Sequence, residues 1–218
     1  MRIDMRGARS WEANLSSLRP DMNDPAVAAA WAYCWGMVNE HQTRAASGFV
    51  ARDVLRRPAP SVPPWIHQLD ESMRTILIAA ARLDLGTMSA LENVIGLGPG
   101  LTPTGDDLIT GYLAGLWCTA LGKSERLEFL AALGELVLRL SDRTDDISRT
   151  YLFYAARGEA SSRLVDLAAA ICRGGSQDEV SESANAQMQV GHTSGMDAAT
   201  GLLLGLASWD ALLLLPRM

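Results

Sequence analysis

Thr104-Gly105-Asp106-Asp107-Leu108-Ile109-Thr110-Gly111-Tyr112-Leu113-Ala114-Gly115-Leu116 is echoed without a gap by Ser194-Gly195-Met196-Asp197-Ala198-Ala199-Thr200-Gly201-Leu202-Leu203-Leu204-Gly205-Leu206. The pairs Gly105/Gly195, Asp107/Asp197, Thr110/Thr200, Gly111/Gly201, Leu113/Leu203, Gly115/Gly205 and Leu116/Leu206 are identical. Average composition would give roughly one or two matches over so short a window. Each copy follows a glycine-containing loop and opens an apolar helix. Two such helix starts in one small chain point to a composite binding site.

Further down each copy, Gly111/Gly115 and Gly201/Gly205 lie four apart, a spacing that lets helix backbones approach closely. The expectation is that the two copies pack on each other through these glycines and bring both loops to the same end. Close packing against any other neighbour is the alternative.

Outward from the repeat, the chain reads as almost all helix. Pro25 opens a helix to about residue 40 with Asp24 as its cap, and a shorter amphipathic stretch covers 47–57. The proline-rich run 58–64 is an extended connector. A helix over 65–85 carries apolar residues at helical spacing and ends at Gly86. Helices are then predicted at about 104–121, 124–141, 144–157, 161–173, 178–189 and 194–214. The expected fold is mainly α, a single multi-helix domain over 1–218 in which the two glycine-loop units pack together. A sheet stays open only in the first 60 residues, where periodicity is weakest.

At 218 residues and 48% hydrophobic content the chain can bury a substantial core. A net charge of −6 gives no reason to propose nucleic acid or an anionic membrane surface. Cys34, Cys118 and Cys172 lie far apart in sequence and fit neither a zinc site nor a disulfide framework. They read as reduced core thiols of a cytoplasmic protein. Met1 to Ser10 lacks the apolar stretch of a secretory signal. Ala198 to Leu215 reads as a buried core helix and not a membrane span, because Thr200, Ser208 and Asp210 interrupt it.

The first loop, Gly96-Leu97-Gly98-Pro99-Gly100-Leu101-Thr102-Pro103, combines glycines that permit positive φ with prolines that restrict it. Successive N–H groups of such a loop can form an anion nest at the positive end of the following helix. Candidate ligand-binding residues are Gly98, Gly100, Thr102, Thr104 and Gly105 in the first copy. Thr193, Ser194, Gly195 and Asp197 are their counterparts in the second. A plain structural alternative stands beside this: Thr104 with Asp107, and Ser194 with Asp197, each have the spacing of a capping box. Asp106 and Asp107 are adjacent carboxylates that could hold a Mg²⁺ bridging to phosphate. Without a metal, they would repel an anion from the same helix end.

Arg143-Thr144-Asp145-Asp146-Ile147-Ser148 opens another helix, with Thr144 and Ser148 on adjacent turns and Arg143 placed to clamp a carboxylate or phosphate. Pairing of Arg143 with Asp142 or Asp145 is the alternative. His192, in the loop before the second copy, is the best-placed histidine for acid–base work. It could equally be a neutral residue satisfying loop hydrogen bonds.

The run Gly96 to Asp107 resembles the hallmark of the AllH-like bacterial family. Arg143-Thr144 with Ile147-Ser148, and Gly191-His192-Thr193-Ser194-Gly195 with Asp197, are similar to its later blocks. The resemblance covers about Ser89 to Leu206, placing a family-like core at 86–214 behind a poorly matched helical part at 1–60. It implies a subunit of oxamate carbamoyltransferase, which interconverts oxalurate and phosphate with oxamate and carbamoyl phosphate in anaerobic allantoin breakdown. On that reading His192, Arg143 and Asp107 carry the chemistry, with Asp106 and Asp107 holding metal or positioning the attacking amine. The expected partners are a small anionic metabolite, the other transferase subunits and further copies of this chain. A non-catalytic assembly subunit and a metabolite-sensing module are the competing readings.

Overall fold

The structure is a computed structural model that describes residues 15–45, 49–54, 62–120 and 122–210. Among the described residues it contains nine α-helices and no strand. They are α1 (Pro25–Ala45), α2 (Ala51–Val54), α3 (Pro64–Ala81), α4 (Thr104–Ala120), α5 (Ser124–Leu140), α6 (Asp146–Ala155), α7 (Ser162–Cys172), α8 (Gln177–Met188) and α9 (Ser194–Ala207). The chain is a single helical domain. The expectations for 1–14, most of the connector and the tail beyond 210 lie outside the described residues. None of the described helices is long and apolar enough to cross a membrane.

Helix boundaries follow local chemistry. Asp24 accepts from the N–H of Ala26 at 2.8 Å, capping α1 as its position before Pro25 predicts. The end of α3 differs from expectation, because the chain leaves the helix at Leu83 and not at Gly86. Leu83 takes a φ of 53°, its N–H bonds to Ala80 and that of Asp84 to Ala79. This is the paired hydrogen-bond pattern that usually calls for glycine. Leu83 packs against the apolar core, so burial of its side chain offsets the left-handed backbone. Gly86 instead begins a 3₁₀ segment, Gly86–Asn93, that leads into the first glycine loop.

The centre of the molecule is the α4–α9 pair. Residues 104–116 of α4 and 195–206 of α9 are buried without interruption, as expected of helices apolar on every side. A Cβ at Gly111 would lie 1.9 Å from the carbonyl oxygen of Ala198, and one at Gly115 would lie 2.3 Å from that of Leu202. The reverse contacts match: Gly201 against the Leu108 oxygen at 2.0 Å, and Gly205 against the Tyr112 oxygen at 2.2 Å. Advancing one turn along α4 advances one turn along α9, so the helices run parallel and their amino ends lie together. Each glycine meets the counterpart of the residue its own twin meets, which makes the pair locally two-fold.

Two apolar clusters flank this pair. One is built from α3, α5, α6 and the 3₁₀ segment, the other from α1, α7 and α8. Cys118 and Cys172, distant in sequence, are neighbours in the second region, and their mutual contact together with burial pushes the Cys118 thiol up. Burial alone pushes Cys34 to about 12.

Candidate functional site

The parallel amino ends of α4 and α9 open onto a cavity of about 930 Å³. Its lining includes Pro99 to Thr102 of the first loop and Gly191 to Ser194 of the second, with Asp107, Thr110 and Gln187. Ile147 and Tyr151 of α6 and Ser161 to Leu164 at the start of α7 complete the wall. The two loops touch directly, since the hydroxyls of Thr102 and Ser194 hydrogen-bond at 2.7 Å.

The glycine at the second position of each helix serves packing. A Cβ at Gly105 would lie 2.0 Å from the Val94 oxygen, and one at Gly195 would lie 2.1 Å from the Gln187 oxygen. The backbone approached there is the protein's own. The N–H of Gly105 bonds to Leu97, that of Gly195 to Val190, and those of Asp107 and Asp197 to Pro103 and Thr193. These donors are therefore spent internally. Among the described residues, the N–H groups of Gly100, Leu101 and Thr102 and those of His192, Thr193 and Ser194 carry no hydrogen bond. The unbonded N–H groups therefore lie one step outward from the helix ends, in the loops.

The capping-box reading of Ser194 and Asp197 is corrected. Thr193 occupies the cap position of α9 without a side-chain bond to the helix, and Ser194 turns toward Thr102. The carboxylates look across the pair. The hydroxyls of Thr102 and Ser194 favour the ionised form of Asp107, and those of Thr104 and Thr193 favour it at Asp197. Burial outweighs them. It raises Asp107 to about 6, with Asp106 and Asp145 adding repulsion. It raises Asp197 to about 8, with the Asp107 charge adding to the effect. One oxygen of each carboxylate, Oδ2, is buried without a hydrogen-bond partner.

Asp106 has a different role from its neighbour. Its Oδ1 accepts from the Gly96 N–H at 2.8 Å and its Oδ2 from the Thr144 hydroxyl. Burial raises its pKa while Thr144, Gly96 and Ser148 pull it down. Consecutive helical residues point about 100° apart, so Asp106 braces the first loop while Asp107 faces the cavity. The two do not converge on one ion. Among the described residues no group of three or more His, Cys, Asp or Glu side chains is placed to hold a metal.

The 143–148 block stands behind the loop, not in the cavity. Asp145, and not Thr144, caps α6 by accepting from the N–H groups of Ile147 and Ser148 at 2.8 and 3.0 Å. Thr144 and Ser148 face Asp106. Arg143 is half-exposed and pairs at 4.0 Å with Glu92, not with Asp142 or Asp145, and its carbonyl oxygen lies 2.9 Å from where a Cβ at Gly96 would sit. Of the candidates read from sequence, the cavity gathers Gly100, Thr102, Asp107, His192, Thr193 and Ser194. Gly98, Thr104, Gly105, Arg143, Thr144, Ser148, Gly195, Asp106 and Asp197 do not line it.

Three residues went unassigned by sequence reasoning. Thr110 is one of the seven repeated identities and lies three residues after Asp107, hence on the same helix face; that spacing was a usable signal. Gln187 and Arg163 come from α8 and α7, and nothing local marks them. Arg163 forms part of the cavity wall, and one of its guanidinium nitrogens donates to the Ala186 carbonyl at 3.3 Å. At the mouth, Leu101 is 86% exposed beside the exposed Ile147 and Tyr151.

A family model described as oxamate carbamoyltransferase subunit AllH matches residues 94–206, just over half of the chain. The chain belongs to that family. The match begins at the turn before the first glycine loop and ends within α9, so it spans the cavity's two loops and both central helices. No solved structure matches the fold.

Proposed function

We propose that this chain is the subunit of an oxamate carbamoyltransferase that holds the small anionic substrates in the cavity at the joined amino ends of α4 and α9. The observation carrying the reading is the meeting of the two glycine loops around one cavity, with free N–H donors above a buried carboxylate. Free loop N–H groups, Arg163 and His192 supply the donors that a carboxylate or phosphate needs. Asp107, raised to about 6, is a suitable proton acceptor at neutral pH.

In the transfer, the amide nitrogen of oxamate attacks the carbamoyl carbon of carbamoyl phosphate. The new N–C bond forms, the C–O bond to phosphate breaks, and the nitrogen's proton passes to Asp107. Charge builds on the carbonyl oxygen and the departing phosphate, where the loop N–H groups and Arg163 stabilise it. Asp197 and Asp106 act as positioning residues beneath and beside Asp107. The exposed Leu101, Ile147 and Tyr151 at the mouth suit coverage by the other subunits that the family's description implies.

Calorimetric titration of the full chain with oxamate, carbamoyl phosphate and phosphate, each with and without Mg²⁺, tests this. Binding of at least one is expected, together with a loss of about tenfold or more in D107N at unchanged helicity. Absence of binding by all three would overturn the reading. Binding that survives D107N would remove Asp107 from it.

A further inference from the structure

The local two-fold of the central pair continues past the glycines to two carboxyls. Residues four apart in a helix share a face. Asp107 therefore stands one turn before Gly111 on the contact stripe of α4, and Asp197 one turn before Gly201 on that of α9. The carbonyls that meet Gly111 and Gly201 belong to Ala198 and Leu108, the residues directly after the two aspartates. Asp107 and Asp197 thus lie at one level on either side of the local axis, next to the place where the backbones touch. Hydroxyls cross the pair in exchange. Ser194, which opens α9, donates to Asp107 of α4, and Thr104, which opens α4, donates to Asp197 of α9. Ser194 and Thr104 are twins in the repeat, so each copy braces the other's carboxyl.

Two carboxyls so placed do not ionise independently. The residues are 8% and 3% exposed, and each has an Oδ2 without a hydrogen-bond partner. Once one is charged, repulsion at low dielectric opposes ionisation of the other. That repulsion falls on Asp197, which loses its proton after Asp107 has become charged. Asp107 ionises first and meets a neutral partner. Other charges reach one side of the pair: Asp106 and Asp145 act on Asp107, and Arg163 and His192 line the same cavity as Asp107. Toward α9, α1 and α8 present uncharged amides, Gln42 at Thr200 and Gln187 at Gly195.

We propose that Asp107 and Asp197 work as one unit that shares a single negative charge in its resting state, with Asp197 as the positioning residue that keeps the proton and Asp107 as the member that exchanges protons in the cavity. This rests on the transfer reading for the ligand and adds how the site keeps its own charge compatible with an anion. When Asp107 takes the proton from the attacking nitrogen, the unit passes from one proton to two and from one negative charge to none. Release of that proton to solvent restores the starting state. At alkaline pH the unit loses its last proton, a second negative charge appears beside the cavity, and an anion is repelled.

Carboxyl-carbon NMR of the full chain, labelled at aspartate, tests the unit without any ligand. In D107N the titration midpoint of Asp197 should fall by about one pH unit or more, the coupling at which two groups titrate as a pair. D197N should leave the Asp107 midpoint in place, because the Asn amide stands in for the protonated partner that Asp107 already meets. Asp70 of α3, raised by burial and Asp53, should move in neither variant. An Asp197 midpoint unchanged in D107N would overturn the inference. The parent chain gives a second reading that needs no variant to fold: each of the two resonances should register both steps, and single-step curves would count against the pair. Calorimetry with oxamate at pH 7 and pH 9 then tests what the unit does for the ligand. Affinity should fall about tenfold more in the parent chain than in D197N, whose side chain cannot ionise. Equal falls would remove Asp197 from the role given to it. Absence of oxamate binding at both pH values would count against the transfer reading, and the carboxyl titration would still decide the pair.

Discussion

The two copies of the repeat share their sequence and their backbone contacts, yet they face different surroundings. In α9 the conserved positions of the repeat are sealed: Asp197 is 3% exposed, and Thr200, fully buried, bonds to Gln42 of α1. In α4 the same positions, Asp107 and Thr110, line the cavity. The local two-fold axis is therefore a property of the backbone packing alone. It is broken by what covers each side, α1 and α8 over one copy and open space over the other. On the proposed function, one copy of the repeat serves structure and the other faces the ligand, because only the latter has its repeated Asp and Thr beside the cavity.

The sharpest way to break this comparison is to attack what the copies share. Gly111 and Gly201 each hold a carbonyl within about two ångströms of where a Cβ would lie. Backbone cannot yield there as a flexible side-chain tip could. G111A and G201A should each cost about 3 kcal/mol or more, as overpacking does at its severe end, and by similar amounts. Urea unfolding measures this. A large cost in one and a small cost in the other would show that the two-fold contact is not a shared foundation.

Helical class, most helix positions and the glycine contact were legible in the repeat, because four-residue glycine spacing has one strong physical use. The site was legible in outline only. His192, Thr193, Ser194, Thr102 and Asp107 could be placed because they sit at helix starts, where ligands gather. Arg163 and Gln187 could not, since they reach the cavity from α7 and α8 by tertiary packing that leaves no local pattern. Asp106 and Arg143, candidates on their chemistry, lie outside the cavity lining, and for Asp106 the reason is orientation: one step along the helix turns it to Gly96 and Thr144. Spacing says which residues share a face and not which face is covered.

Protonation separates the copies next. Asp197, Asp107 and a third buried carboxyl, Asp70 of α3, are raised to about 8, 6 and 7. For Asp70 the causes are burial and then the Asp53 charge, and neither of its oxygens has a hydrogen-bond partner. Each group keeps its proton in the fold after the unfolded chain has lost it near pH 4. The unfolded state then binds fewer protons, so stability falls as pH rises from about 4 through each folded pKa. Asp145 and Glu179, lowered by their hydrogen bonds, act in the opposite sense but only below about pH 5. Thermal unfolding should therefore shift downward between pH 5 and pH 9. D197N should recover about 2 kcal/mol at pH 9, and D107N about half of that. A flat profile in the parent chain would show that these carboxyls are not buried as described.

The smallest effect discriminates most finely. T200V and T110V make the same change at matching places, removing a hydroxyl while keeping shape. In T200V the Gln42 amide loses its acceptor in the interior and the bond to Met196 disappears, which should cost about 1–2 kcal/mol. In T110V no protein hydrogen bond is lost and an unpartnered oxygen is removed, so stability should stay within about 0.5 kcal/mol or rise. Because the substitution is identical, intrinsic helix propensity and side-chain volume cancel between the two variants. What is left is the difference in cover. Equal stability costs would mean that the two threonines are equivalent in their surroundings. The break in the local two-fold would then have no energetic consequence at this position.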